Sequence, residues 1–277
     1  MMRFATRAAA PLAGGARTYA AKAAVKSQPL IGFVHSIDST IATVIPAPGS
    51  PGVAYNTVVQ VQVAEGKIGN ALVFNLNKDG SIGVILLDNT NLIRSGQKVL
   101  ATDELLMVPT GPGVLGKVIN PLGHEIPVSN LTKSRSLFQG ADIVQGQVDA
   151  NAPNIVSRSP VNYNMLTGFK AVDVLIPVGR GQRELIVGDR QTGKTSIAVS
   201  AIINQTRMNQ QTLGKNAVLN VYVSVGQRCS NVARIYRLLH SYGALAYTTI
   251  MAATAAEPAG LQFLAPYSGV TLGEYFM

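Results

Sequence analysis

The chain has 277 residues, enough to bury a sizeable core and to form one large domain or two of ordinary size. It is 47% hydrophobic and only 13% charged, which excludes a disordered protein, and its single cysteine, Cys229, excludes an internal disulfide and a cysteine metal cluster. Without the five bases that precede Gln28 the net charge falls from +9 to +4, and the remaining bases form no cluster of the kind that predicts nucleic-acid binding.

The N-terminal segment, residues 1–28, has the composition of a mitochondrial transit peptide. It contains arginine, lysine and many small residues, and the first acidic residue of the chain is Asp38. The alternative is a disordered basic tail of a cytosolic protein. A secretory signal is disfavoured because no uninterrupted apolar stretch follows the first bases. Nowhere does the sequence approach the ~18 consecutive apolar residues of a membrane-spanning helix, so we expect no direct membrane span.

Residues 29–115 are predicted to form a small β domain. Its short apolar runs are separated by turn signals, and valines alternate with glutamines in residues 57–63, so that one face of that run is apolar. Six strands at such spacing predict a closed barrel or a sandwich, and the prolines of residues 46–51 predict a loop. The predicted strands are residues 31–37, 41–45, 57–63, 71–74, 81–87 and 98–101.

The remainder, residues 116–277, is predicted to be an α/β domain. Glycine and proline punctuate residues 110–160, which indicates a connection leading away from the β domain. From Asn162 onward, apolar runs of strand length alternate with helix-compatible segments, a pattern typical of a parallel sheet.

A phosphate-binding loop of the form G-x-x-x-x-G-K-[ST] begins at Gly188. Its two glycines allow successive backbone N–H groups to surround phosphate oxygens, and the N-terminus of the following helix carries a partial positive charge. Lys194 brings a positive charge to the β and γ phosphates, and the Thr195 hydroxyl is able to bind Mg²⁺. The residues predicted to contact the nucleotide are Gly188, Asp189, Arg190, Gln191, Thr192, Gly193, Lys194, Thr195, Ser196 and, from a later strand, Gln227.

The residues on either side of the loop support this interpretation. Residues 184–187 form an apolar run that predicts a buried strand entering the loop, and residues 196–203 are compatible with a helix leaving it. Strand, loop and helix follow one another in the order that the motif requires, so a chance match has little support.

Gln227 follows a second predicted strand, residues 218–225. In P-loop enzymes that hydrolyse nucleotide, the neighbouring strand commonly ends in a carboxylate that orients the attacking water. The Gln227 amide is able to hydrogen-bond a water but not to accept its proton, so it is a poor general base. Position alone leaves two alternatives open: a site without hydrolysis, or a turn glutamine with the base elsewhere. The later acids, Glu257 and Glu274, do not follow a predicted buried strand directly.

Several segments together resemble the alpha subunits of the rotary F-type ATP synthases. The loop has Asp-Arg-Gln-Thr between its glycines, as alpha subunits do, and the similarity extends from about residue 30 to the last residue. The matching segments are residues 166–173, 176–183, 188–196, 225–228, 247–249, 264–269 and 273–276.

The resemblance implies a multi-domain α/β protein with an N-terminal six-stranded β-barrel, a RecA-type P-loop domain and a C-terminal helical domain. It implies a ring in which three such chains alternate with three beta subunits around a central-stalk gamma subunit. It also implies contact with peripheral-stalk subunits and a location on the matrix side of the mitochondrial inner membrane. Catalysis in this family belongs to the beta subunits, whose strand ends in Glu where this chain has Gln227. The resemblance therefore implies a site that binds Mg-ATP or ADP, has no catalytic residue and contributes to proton-driven ATP synthesis.

The family's magnesium-anchoring Asp strand, adenine-contacting segment and helical domain are not found before the last residue. We therefore expect a truncated nucleotide-binding domain and a sequence that is a fragment of a longer chain. Other functions remain open: a self-sufficient P-loop ATPase, or a non-enzymatic assembly protein without nucleotide affinity. A catalytic beta-type subunit is disfavoured by Gln227 and by the Asp-Arg-Gln-Thr loop.

Residues 131–151 depart from the family's pattern. Residues 131–140 carry Lys133 and Arg135 among serines and show no clear period. Such segments are usually exposed loops and are preferred sites of proteolysis. The simpler interpretation is an ordinary surface loop. The sharper hypothesis is a cut during maturation after which both pieces stay in the complex, because each side keeps its own core.

Overall fold

The structure, a computed structural model, describes residues 28–63, 67–126, 142–212 and 217–277. The predicted transit peptide, apart from Gln28, and the 131–140 connection lie outside the described residues. Within the described ranges the chain forms a β-barrel, followed by a unit that combines small sheets with helices.

The N-terminal unit is a closed antiparallel barrel with the strand order β1-β2-β5-β4-β3-β6, in which β6 pairs again with β1. This confirms the six predicted strands and decides between the two predicted architectures in favour of the barrel. Several bounds differ from the prediction: β4 extends from Ile68 to Leu76, β6 continues to Leu105, and Pro46 is the last residue of β2 rather than the start of the loop. The strands are β1 (Leu30–Asp38), β2 (Ile41–Pro46), β3 (Thr57–Gln62), β4 (Ile68–Leu76), β5 (Ile82–Leu86) and β6 (Lys98–Leu105).

Alternation along the barrel strands produces two different apolar surfaces. In β3, Val59 and Val61 point into the barrel core together with residues such as Val44 and Val99. Val58, the residue before Val59, belongs to a second core outside the barrel. Because side chains alternate between the two sides of a strand, one strand supplies both cores.

The second unit begins directly after the barrel. Contrary to the expectation of a mere connection, residues 110–160 contribute one strand to a parallel sheet and another to an antiparallel pair. Its elements are β7 (Met107–Thr110), β8 (Val118–Ile119), β9 (Val144–Gln147), β10 (Asn164–Met165), α1 (Lys170–Leu175), β11 (Val178–Gly179), α2 (Lys194–Gln211), β12 (Asn220–Gln227), α3 (Cys229–Ser241), β13 (Thr248–Thr254) and α4 (Ala259–Phe276).

The centre of this unit is a three-stranded parallel sheet with the order β12-β13-β8. Helices α2 and α3 cover one face, where Val199 and Ile235 join Ile250 and Ala252 of β13 in one apolar cluster. Helix α4 covers the other face, where Leu272 packs in a cluster with Met251. Strand–helix alternation is therefore confirmed for residues 194–277, and the predicted strand at residues 218–225 corresponds to β12.

Helix α4 also packs against the barrel. Leu261 and Leu264 are buried in the same cluster as three barrel residues that project from its outer surface, Val58, Leu72 and Ile85. Burying a leucine side chain of this kind contributes about 1.5–3 kcal/mol. The barrel thus has an interior core of its own, and a further cluster joins its outer surface to the sheet.

The predicted buried strand at residues 184–187 is not formed. These residues have no assigned strand, and the side chains of Leu185 and Val187 are 84% and 81% exposed. A parallel strand exists only with hydrogen-bonded neighbours, and no strand in the described part of the chain pairs with these residues. The apolar run is present, but nothing described covers it.

Candidate nucleotide site

The orientation of α2 places the phosphate loop at one edge of the parallel sheet. At the C-terminal end of α2, Asn209 donates to the Val218 carbonyl (2.8 Å) and accepts from the Val218 N–H (2.9 Å), just before β12 begins. From Asn209 the helix extends back over about 23 Å to Lys194. Since β12 and β13 extend in the opposite direction, Lys194 lies toward their carboxyl ends. Ligands of open α/β sheets bind at that edge.

The loop itself forms a compact turn. Gln191 and Gly193 have positive φ angles of 63° and 90°, and the Thr192 hydroxyl donates to the Asp189 carbonyl over 2.9 Å. The Lys194 ammonium donates to the carbonyl oxygens of Gly188 and Asp189, which holds its charge beside the loop.

Helix α2 begins at Lys194, directly after the loop, with Gly193 as its N-cap. The first N–H groups of a helix have no acceptor within it, and they carry the positive end of the helix dipole. The side chains of Thr195 and Ser196 are exposed at this end. The helix terminus therefore offers N–H donors, a hydroxyl and a cation to an anionic ligand.

Gln227 ends β12 at the same edge. A β-bulge shifts the register between Val225 and Gln227, so that Gln227 is paired with Thr254 at the end of β13. Gly226 supplies the positive φ of 65° that the bulge needs, a conformation that strains other residues. The N–H of Ala255 then donates to the Gln227 carbonyl over 3.1 Å. The backbone of Gln227 is thus held both by the bulge in its own strand and by the hydrogen bond from Ala255.

The Tyr222 side chain is a further neighbour of Gln227. Burial raises the pKa of the Tyr222 hydroxyl, while a hydrogen bond with Gln227 and the charge of Arg234 act in the opposite direction. The Tyr222 ring packs against the apolar cluster beneath α2. Gln227 therefore lies on the sheet face that carries the phosphate-loop helix.

Sequence reasoning did not assign Glu257 to this edge. Its carboxylate accepts a hydrogen bond from the N–H of Thr254 over 3.2 Å, because the turn after β13 folds the side chain back onto the strand end. Burial raises the pKa of the Glu257 carboxyl, and the hydrogen bond from Thr254 opposes that shift. The position of Glu257 three residues past a buried strand, immediately before a proline and a helix, is the signal that could have indicated it.

The loop offers one suitable oxygen ligand for magnesium. Thr195 supplies a neutral oxygen, and Mg²⁺ in nucleotide sites typically takes one or two protein oxygens, with phosphates and water supplying the rest. Among residues 28–63, 67–126, 142–212 and 217–277, no group of three or more His, Cys, Asp or Glu side chains could hold a metal ion by itself. Across the same ranges, no helix is both long and apolar enough to cross a membrane.

A phosphate loop that opens a helix packed on a parallel sheet, joined to a six-stranded barrel, defines a P-loop nucleotide-binding protein with an N-terminal β-barrel. Residues 168–277 match the nucleotide-binding domain of the ATP synthase alpha/beta family. These residues therefore belong to this family, and the chain is similar to its alpha subunits over most of its length.

Three relatives illustrate the relationship. The chain is 71% identical over 256 residues to the mitochondrial ATP synthase subunit alpha of Trypanosoma brucei brucei, covering 92% of this chain and 43% of the relative. It is 40% identical over 247 residues to ATP synthase subunit alpha of Petrotoga mobilis, covering 89% and 45%. It is 41% identical over 247 residues to that of Caldanaerobacter subterraneus subsp. tengcongensis, covering 89% and 44%. The chain thus spans less than half the length of each of these relatives.

Proposed function

We propose that this chain acts as a non-catalytic, nucleotide-binding alpha subunit of a proton-driven rotary ATP synthase. The observation that carries the proposal is the arrangement at the carboxyl edge of the sheet, where β12 ends in Gln227 on the side covered by the phosphate-loop helix. An amide in this place binds a water without accepting its proton. The site is therefore suited to holding a nucleotide and not to hydrolysing it.

The residues of the site have different roles in nucleotide binding. Backbone N–H groups of residues 188–196 surround the phosphates of ATP or ADP, and the Lys194 ammonium exchanges its carbonyl acceptors for phosphate oxygens. The Thr195 hydroxyl would hold magnesium, which neutralises phosphate charge when it is bound. Gln227 would orient a water beside the magnesium ion. Asp189, Arg190, Gln191, Thr192 and Ser196 complete the proposed contacts.

The proposal extends to assembly and location. The barrel and the nucleotide-binding domain that follows it, whose first strand is β7, form one subunit. The protein alternates with beta subunits around a gamma subunit, in contact with peripheral-stalk subunits. It is peripheral to the mitochondrial inner membrane on the matrix side. Residues 1–28 act as its transit peptide, since their acid-free, arginine-bearing composition suits import. No nucleic acid is a partner.

Replacement of Lys194 tests nucleotide binding. In a complex whose beta subunits are inactivated at their own phosphate-loop lysine, Lys194→Ala should weaken Mg-ATP binding at the alpha sites by about 1.5–3 kcal/mol, the value of a hydrogen bond to a charged group. The control, Arg207→Ala, removes a charge from the same helix about 20 Å away and should leave the affinity unchanged. Calorimetry measures both.

The same titration separates the proposed function from its rivals. Absence of any saturable Mg-ATP binding in the unsubstituted complex would support an assembly protein that does not use nucleotide. Steady turnover in that complex, lost on Lys194→Ala, would support a self-sufficient ATPase. Unchanged affinity in Lys194→Ala would contradict the assignment of the loop.

A further inference from the structure

The turn between β13 and α4 forms a connected group of polar contacts beside Gln227. The N–H of Glu257 donates to the Thr254 carbonyl over 3.0 Å, while the Glu257 carboxylate accepts from the Thr254 N–H. Thr254 is the residue paired with Gln227 across the two strand ends. Thr254 therefore links the two residues: it is hydrogen-bonded to Glu257 and paired with Gln227.

A second contact path reaches the bulge on which Gln227 depends. The Gln262 side-chain amide, on the first turn of α4, donates to the Glu257 carbonyl over 3.1 Å. The oxygen of the same amide lies against Gly226, 3.2 Å from where a Cβ would stand. The bulge at Gly226 is thus enclosed by a side chain that Glu257 orients through its backbone.

We propose that Glu257 is a positioning residue of the nucleotide site, which fixes the amide of Gln227 by holding the β13–α4 turn against the end of β12. This inference rests on the proposed function and adds a residue to that site. Glu257 needs no contact with nucleotide for this role. It acts through Thr254, Gln262 and the bulge, much as outer partners of metal ligands orient the groups that bind.

The carboxylate serves here as a hydrogen-bond acceptor, which determines how its variants behave. Glu257→Gln keeps an acceptor oxygen of similar reach for the Thr254 N–H, so Gln227 should keep its orientation. Glu257→Ala removes the acceptor and releases the turn. Because Gln227 is proposed to hold a water beside magnesium, the released turn should affect Mg-ATP more than ATP without magnesium.

The experiment uses the full-length subunit in complexes whose beta subunits are inactivated at their phosphate-loop lysine. Cys229, exposed two residues after Gln227, carries a fluorophore. Complexes with Cys229→Ser correct for labelling of any other cysteine. Fluorescence titrations with Mg-ATP, and with ATP in EDTA, are compared for wild type, Glu257→Ala, Glu257→Gln, Gln227→Ala and the double alanine variant.

We expect Glu257→Ala to weaken Mg-ATP binding about tenfold, the lower end of the effect of losing an outer-shell partner. Affinity for ATP in EDTA should stay unchanged, and Glu257→Gln should restore the wild-type value. Adding Glu257→Ala to Gln227→Ala should cause no further loss, because Glu257 acts through Gln227 and the two effects are then not additive.

Three results would overturn the inference while leaving the proposed function standing. They are an unchanged Mg-ATP affinity in Glu257→Ala, an equal loss with and without magnesium, and full additivity with Gln227→Ala. Failure of the wild-type complex to bind Mg-ATP at the labelled site would instead overturn the proposed function, and the inference with it.

Discussion

Asn209 and Val218 exchange two hydrogen bonds, 2.8 and 2.9 Å long, although nine positions separate them in the sequence. The Asn209 amide thereby satisfies both backbone groups of Val218, just before β12 begins at Asn220. This pair anchors the end of the phosphate-loop helix to the amino end of the sheet. As a result, the other end of the helix lies at the edge that carries Gln227.

Asn209→Leu should test this anchor. Asn209 is only 3% exposed, and leucine fills a similar volume without bonding to Val218. Two partly buried backbone groups then lose their partner, at a cost of about 1–3 kcal/mol in the free energy of unfolding. Urea unfolding of the chain measures it, with Gln211→Ala on the exposed end of the same helix as a near-neutral control. A loss below about 0.5 kcal/mol would show that packing alone orients α2.

Leu264→Ala should loosen the barrel and the sheet together. Leu264 is 3% exposed in the cluster shared with Leu72, Ile85 and Met251. Truncating such a leucine costs about 2–5 kcal/mol, and hydrogen exchange should quicken in β4, β5 and β13 alike. Val270→Ala, on an exposed position of the same helix, is the matched control. Faster exchange confined to β13 would mean that the barrel is stable without α4.

Glu257 should make the stability of the chain depend on pH. Burial raises the pKa of its carboxyl above the usual 4.5, so the folded chain binds the proton more tightly than the unfolded chain. The free energy of unfolding should therefore decrease as the pH rises from about 4.5 through the raised pKa. Glu257→Gln, which cannot ionise, should flatten this part of the profile. Identical slopes for wild type and Glu257→Gln in urea unfolding between pH 4 and 7 would contradict the burial of this carboxyl.

The basic, aperiodic composition of residues 131–140 leads to a prediction about maturation. If the chain is cut between residues 130 and 151, the two pieces should stay together, because β7 pairs with β9, β8 pairs with β13, and the core around α4 takes residues from both. Denaturing electrophoresis of the purified complex should then show two bands, and native gel filtration a single species. One band of full length excludes the cut, and separation of the pieces under native conditions contradicts the shared core.

Much of the barrel could be predicted from the sequence because its strands alternate. In residues 57–63 the apolar face alone determines which side chains enter the barrel. The phosphate loop could also be predicted, since its function depends on local backbone geometry and on the helix that follows it. Alternation does not show, however, that Val58 on the opposite side would be buried as well. That burial depends on α4, which is about 200 positions away in the sequence.

Other features depend on partners that a local pattern does not reveal. Residues 184–187 have the composition of a buried strand, yet a strand requires neighbours, and the described part of the chain provides none there. Glu257 could not be placed beside Gln227 because its position depends on a turn that folds the carboxylate back onto Thr254. In both cases the sequence shows the chemical type of the residues but not what they contact.

Whether this site holds nucleotide without hydrolysing it is tested most directly by single-turnover chemistry. Complexes whose beta subunits are inactivated at their phosphate-loop lysine are loaded with Mg-ATP labelled at the γ phosphate, and the bound label is analysed over time. We expect it to be recovered as ATP, and also in Gln227→Glu, because a new carboxylate alone lacks the neighbouring cation that stabilises the transition state. Release of labelled phosphate that disappears on Lys194→Ala would show that the alpha site is catalytic and would contradict this assignment.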